Sequence, residues 1–140
     1  MTKKRITDEL IKLADDEQYE ISKLSIAKEL YKIVNNETDL DFLIKKVKEM
    51  KPDSSKYFID EKEMQRIGTT LLFYGSPDDA IKILKLNTYF YPKSATAAIS
   101  LGKAYLKTNN IDLAGEYFKK ALSIEPDNKE ITKLLKEMKD

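Results

Sequence analysis

Two stretches of this 140-residue chain carry the same punctuation at the same interval. Gly68, Ala80 and Pro92 return as Gly102, Ala114 and Pro126, each 34 residues later, and Leu72/Leu106, Asp78/Asp112 and Lys85/Lys119 keep that offset. A period of this length, with apolar residues at helical spacing around a turn and a proline at the close, describes a helical hairpin. Such a hairpin buries its apolar face only by stacking on its neighbours. The expectation is an all-α solenoid, and scaffolds of that kind bind other molecules more often than they do chemistry.

Within the repeat from Glu61 to Ser94, the first helix is predicted over Glu61 to Tyr74. Asp60 would cap it, Glu63 would complete a capping box, and Met64, Ile67, Leu71 and Tyr74 would share one face. Gly75-Ser76-Pro77 breaks the chain: Gly75 suits the left-handed position after a helix, Ser76 suits a cap, and Pro77 suits a first turn. The second helix is predicted over Pro77 to Tyr91, with Ala80, Ile83, Leu84 and Asn87 inward and Pro92 ending it. The repeat from Ala95 to Asn128 follows the same plan. Ala98, Leu101, Ala104 and Tyr105 line its first helix, Asn109-Asn110 turns the chain, and Ala114, Tyr117, Phe118 and Ala121 line its second. A glycine inside a helix costs about 1 kcal/mol relative to alanine. Finding one twice in register, at 68 and 102, implies a close helix crossing that leaves no room for a side chain.

These positions resemble the tetratricopeptide repeat, whose pattern is a large residue, Leu-Gly, Tyr, then Ala, Phe, Ala and Pro at set spacings. Ala98, Leu101, Gly102, Tyr105, Ala114, Phe118, Ala121 and Pro126 match it closely. Met64, Ile67, Gly68, Leu71, Ala80, Leu84, Asn87 and Pro92 match it with one departure, Asn87, where a small apolar residue is usual. The resemblance implies a right-handed α-solenoid of helical hairpins. It also brings out a degenerate copy over 21–54, with Leu24, Ala27, Tyr31, Leu40, Ile44, Val47 and Pro52 in the key slots and Lys28 in the glycine slot. Residues 5–17, with Ile6, Leu10, Leu13 and Ala14, are expected to form an N-terminal helix. Residues 129–140 are expected to form a capping helix, with Asp127 as cap, Glu130 completing its box, Ile131, Leu134, Leu135 and Met138 as the apolar stripe, and Lys136 in glycine register. The whole chain, 1–140, reads as a single domain.

The run from Leu86 to Ser94, LNTYFYPKS, with SLGKAY from Ser100 to Tyr105, resembles a narrower group: the module at the C-terminus of many bacterial β-lactamase-like and esterase-like serine hydrolases. That likeness covers roughly residues 38–128. It implies relatives that ride behind catalytic domains, and hence an alternative role as an accessory or dimerisation domain of such a hydrolase. Ser25-Ile26-Ala27-Lys28 matches the Ser-x-x-Lys nucleophile element of that chemistry. The companion Ser-Asp-Asn and Lys-Thr-Gly elements are missing, so the match reads as coincidence and no enzyme is expected.

Composition narrows the remaining classes. No Cys and no His leave no disulfide, no thiolate nucleophile and no imidazole base or ligand, so no metal and no cofactor is expected. Lys+Arg number 25 against 24 Asp+Glu, a net charge of +1, with Arg5 and Arg66 the sole arginines. That balance argues against a dedicated nucleic-acid partner. No apolar run reaches membrane-spanning length and no signal peptide is visible, so no membrane partner and a cytoplasmic location are expected, or a periplasmic or secreted one if the chain is cut from a longer precursor. Asp15-Asp16-Glu17 lacks the spacing of a calcium loop and reads as a solvated helix end.

In the tetratricopeptide family the first helix of each repeat lines a concave groove. The resemblance places Lys62, Gln65, Arg66, Thr69, Leu72 and Phe73 there from one repeat. It places Thr96, Ile99, Ser100, Lys103, Leu106 and Lys107 there from the next, and Ser22, Ser25, Ile26, Glu29, Lys32 and Ile33 from the degenerate copy. The expected site is a peptide groove with a cationic wall (Arg66, Lys103, Lys107) and an apolar floor (Leu72, Phe73, Leu106), unless residues 5–17 fill it. Family members that grip a C-terminal carboxylate use Lys and Asn where this chain has Gln65, Thr69 and Ser100, so that clamp is not expected. The implied partner is a protein or peptide, with homodimerisation open. The aromatic cluster Tyr57, Phe58, Phe73, Tyr74, Tyr89, Phe90 and Tyr91 is expected to pack where the Ser55–Asp60 insertion meets the repeats.

Overall fold

The computed structural model describes residues 23–139. They form an all-α helical-repeat solenoid of seven helices: α1 (Ile26–Ile33), α2 (Leu40–Met50), α3 (Glu61–Tyr74), α4 (Pro77–Phe90), α5 (Ala95–Lys107), α6 (Ile111–Ile124) and α7 (Lys129–Lys139). The helix proposed for residues 5–17 lies outside the described residues. Each hairpin packs on the next, and one continuous core runs through them, from Ile26, Leu30, Leu43 and Val47 through Met64, Ile83, Leu84 and Leu86 to Leu101, Phe118 and Ile131.

The two glycines sit where the repeat requires them. A Cβ added at Gly68 would lie 2.5 Å from Leu84 Cδ2, and one added at Gly102 would lie 2.5 Å from Phe118 Cε1. Leu84 and Phe118 are themselves 34 residues apart. The obstacle is thus a core side chain of the second helix, seated in the notch that the missing Cβ leaves.

Helix ends follow local chemistry, with three departures from expectation. Asp60 caps α3 by accepting from Lys62 N at 2.7 Å, but Glu63 does not close a box; it turns to Arg66, 2.5 Å away. Gly75 closes α3 at φ −129°, not in the left-handed region. The left-handed residue is Asn109, at φ 62° after α5. There Asn109 N donates to Leu106 O at 3.2 Å and Asn110 N to Tyr105 O at 2.9 Å, the paired bonds of a Schellman end. The cap of α7 is Asn128, whose Oδ1 accepts from Ile131 N at 3.1 Å, one residue later than Asp127.

The first hairpin differs most from its alignment. Its buried apolar residues are Ile26, Ala27, Leu30, Leu43 and Val47, while Leu24 and Tyr31 are exposed and Lys28 faces solvent. The small buried residue is therefore Ala27, not the residue in glycine register. Leu24 belongs instead to a two-residue strand, β1 (Leu24–Ser25), paired in parallel with β2 (Tyr57–Phe58). Leu24 N donates to Lys56 O at 2.8 Å, so the insertion between the first and second hairpins is tied to the start of α1. Asp53 shapes that insertion. Its carboxylate accepts from Ser55 Oγ at 2.6 Å and Lys56 N at 3.2 Å, and the Ser55 hydroxyl chiefly holds it below the usual carboxylate range.

Candidate binding groove

The matching faces of α3 and α5 come together with the start of α7 to make a cleft of about 570 Å³. Gln65, Thr69, Leu72 and Phe73 enter from α3, and Thr96, Ile99, Ser100, Lys103 and Lys107 from α5. These are positions the resemblance assigned to a groove. They meet because the first helices of successive repeats lie side by side, each turning the same stripe to one side. Lys62, Arg66 and Leu106 do not line the cleft. Leu106 packs against the core, and the Arg66 guanidinium, held by the Glu63 carboxylate, is raised further above its usual value. From the first hairpin, Ser25 and Ile26 are buried, so they offer nothing to a ligand, and Ser22 lies outside the described residues.

Four lining residues escaped the sequence reading: Leu84, Glu125, Asn128 and Glu130. Two of them change the electrostatics. Lys103 Nζ meets Glu130 Oε1 at 2.6 Å, an exposed pair between α5 and α7. Lys107 Nζ stands 4.0 Å from the centroid of the Phe73 ring. The expected cationic wall is thus reduced: Arg66 pairs outside the cleft, Lys103 is matched by a carboxylate, and Lys107 alone keeps an unmatched charge, over the Phe73 ring. Glu125 adds a second negative charge. The floor is also smaller than expected, since Leu72 is buried and the exposed apolar surface comes from Phe73, 59% accessible, with Ile99 half-buried beside it. The acids were hidden from the repeat register because they come from the turn before α7 and its first turn, not from an equivalent first-helix face.

The remaining candidates resolve into structure. Ser25 caps α1, its Oγ accepting from Lys28 N at 3.3 Å, so the Ser-x-x-Lys spacing is that of a cap and the amide it holds. Asn87 is wholly buried, and its Nδ2 donates to Glu61 O across 3.5 Å, from the second helix of the hairpin to the start of the first. Ser94 caps α5 and also bonds the Glu61 carboxylate, so Glu61 joins the end of one repeat to the start of the next. Tyr57 and Phe90 pack against the core as expected of the aromatic cluster, but Phe73 and Tyr74 stand away from the insertion, Tyr74 at 91% exposure. No helix among the described residues is long and apolar enough to cross a membrane.

Residues 95–128, the repeat formed by α5 and α6, match the tetratricopeptide repeat family. Repeats of that family generally mediate protein–protein interaction. No curated protein matches the chain.

Proposed function

We propose that the chain is a non-catalytic interaction module whose α3/α5 cleft holds a peptide or helix segment of a partner protein. The observation that carries this reading is the cleft itself. It is built from the same faces of two successive repeats, is wide enough for one or two side chains, and combines an exposed aromatic ring with hydroxyl and amide groups from Thr69, Thr96, Ser100, Gln65 and Asn128. Lys103 and Lys107 balance Glu125 and Glu130, so net charge does not select the ligand. Recognition rests on an apolar anchor against Phe73 and Ile99, oriented by hydrogen bonds. An acidic ligand group reaches Lys103 only by displacing Glu130, a contact of modest strength for an exposed pair.

Selecting a displayed peptide library on the chain tests this. The peptides recovered should share an apolar anchor, and Ser100→Trp, which fills the cleft from a helix surface, should abolish their binding while leaving the melting temperature in place. Selected peptides that bind the Ser100→Trp chain equally well would remove the cleft from consideration. The hydrolase-accessory arrangement gains no separate support. Of the residues that carry that resemblance, Leu86, Asn87, Leu101, Gly102 and Tyr105 are buried and serve packing, while Pro92 and Lys103 are exposed.

A further inference from the structure

Large apolar side chains gather along one edge of the solenoid. Tyr31 and Ile33 end α1, Phe73 and Tyr74 end α3, and Ile111 and Leu113 begin α6; all six are exposed. Two contacts join these helix-to-helix turns into one edge. Lys82 Nζ, from the first turns of α4, donates to Asn35 O at 2.8 Å, and Lys107 at the end of α5 reaches Phe73 at the end of α3. The repeat register gave roles to Tyr31, Ile33, Phe73 and Tyr74 but none to Ile111 and Leu113, and an exposed apolar row marks a contact surface.

The charges bordering the row say what it accepts. Two of its lysines are paired, Lys32 with Glu29 at 3.1 Å and Lys82 with Asp79 at 3.8 Å, and the third, Lys107, lies over Phe73 with its charge unmatched. Its carboxylates Glu37, Asp39, Asp41, Asp78 and Asp112 have no ion-pair partner among the described residues. A second copy would bring the same negative border against this one, and an anionic bilayer would be repelled in the same way. The complement is an apolar stripe flanked by cations. Packed neighbouring helices lie about 8–10 Å apart, and residues seven apart on a helix rise about 10.5 Å. One anchor every two turns of an incoming helix therefore meets successive turns of the edge. A helix also arrives with its backbone bonded, whereas an extended segment needs an open strand edge that these turns do not offer.

We infer that this edge, which meets the cleft at Phe73, docks a cationic amphipathic helix of a partner protein. The test titrates the full isotope-labelled chain with an amphipathic Leu/Lys peptide of about 18 residues, long enough to be helical when bound, with a Leu/Glu peptide of the same pattern as control. The Lys peptide should move the amide signals of Tyr74, Ile111 and Leu113, and the Glu peptide should not. Tyr74→Ser with Ile111→Ser should weaken binding at least about tenfold without lowering the melting temperature, and Ser100→Trp should leave it unchanged. Asp78→Asn with Asp112→Asn should weaken it by about threefold, more at low salt. Signals moving only at Thr69 and Ser100 would put the peptide in the cleft and overturn the edge. Equal binding of the Glu peptide, preference for phosphatidylserine vesicles, a dimer abolished by Tyr74→Ser, or contacts from residues 1–22 to the Tyr74 ring in the free chain would each overturn it too.

Discussion

At Gly102 an added methyl group meets a ring that cannot retreat: Phe118 is wholly buried and packed on every side. Alanine gains about 1 kcal/mol of helix propensity there, but overpacking a filled core costs about 1–3 kcal/mol. Gly102→Ala should therefore lose about 1 kcal/mol net. Gly68→Ala should lose less, because the obstacle is the end of a Leu84 side chain, which turns about two single bonds, rather than a rigid ring. Gly115→Ala should gain about 0.5–1 kcal/mol, since its new Cβ would find only Met138 Cε at 3.8 Å. Urea midpoints at constant slope measure all three, and a common sign across the set would contradict the notch-and-side-chain geometry. The register of the two glycines was legible because each closes one 34-residue step with its partner residue. The harmless Gly115 was not distinguishable by identity alone, because its space depends on α7. Tyr117 offers a further check. Burial, then neighbouring Tyr105, raises its hydroxyl above the usual tyrosine value, so the folded state holds that proton more tightly than the unfolded chain. Stability from this group is complete below about pH 10 and declines as pH rises past it. Tyr117→Phe should flatten that decline in melting temperature, and an unchanged slope would show that other groups set it.

Helix ends depend on which residue reaches which orphan group, and sequence carries this only in part. Asn109 supplies the left-handed residue after α5, a conformation asparagine tolerates and alanine does not. Asn109→Ala should cost about 1 kcal/mol, whereas Asn109→Gly should cost nothing, both read from thermal unfolding. Equal losses would mean that the side chain, not the backbone conformation, matters there. The Asn109-Asn110 pair announced this turn, while Gly75, the stronger signal by composition, closes its helix at negative φ because Ser76 and Pro77 start the next helix at once. Capping boxes were over-read for physical reasons. Glu63 and Glu130 each meet a cation, Arg66 and Lys103, and Glu130 also stands only two residues after the actual cap, Asn128. The cleft was over-read as basic for the first of these reasons, since the partner of Lys103 lies 27 residues away on another element.

Across the whole molecule, stability in a solenoid is a sum of hairpin and interface terms, so the ends are weaker than the middle. The asymmetry here is large. The hairpins α3/α4 and α5/α6 have helices of 13 or 14 residues, glycine notches, and neighbours on both sides among the described elements. The hairpin α1/α2 has helices of 8 and 11 residues, no notch, and its own Tyr31, Ile33 and Phe42 left exposed. It is held chiefly by packing of α1 on α3 and α2 on α4, and by the short β1–β2 ladder. The sequence put Ala27 and Val47 in slots that are buried but also Leu24 and Tyr31 in slots that are exposed, because no glycine or phenylalanine fixes the phase of α1. Native-state hydrogen exchange should then divide the chain. Amides of α4, α5 and α6 should open only with global unfolding, while those of α1 and α2 should open at least about 2 kcal/mol more easily. Leu30→Ala should widen that gap by about 2–3 kcal/mol while leaving the exchange of α5 and α6 nearly unmoved, as expected if energy passes only between adjacent hairpins. Uniform protection from α1 to α6, or a Leu30→Ala loss felt equally in α6, would show a single cooperative block in place of stacked units.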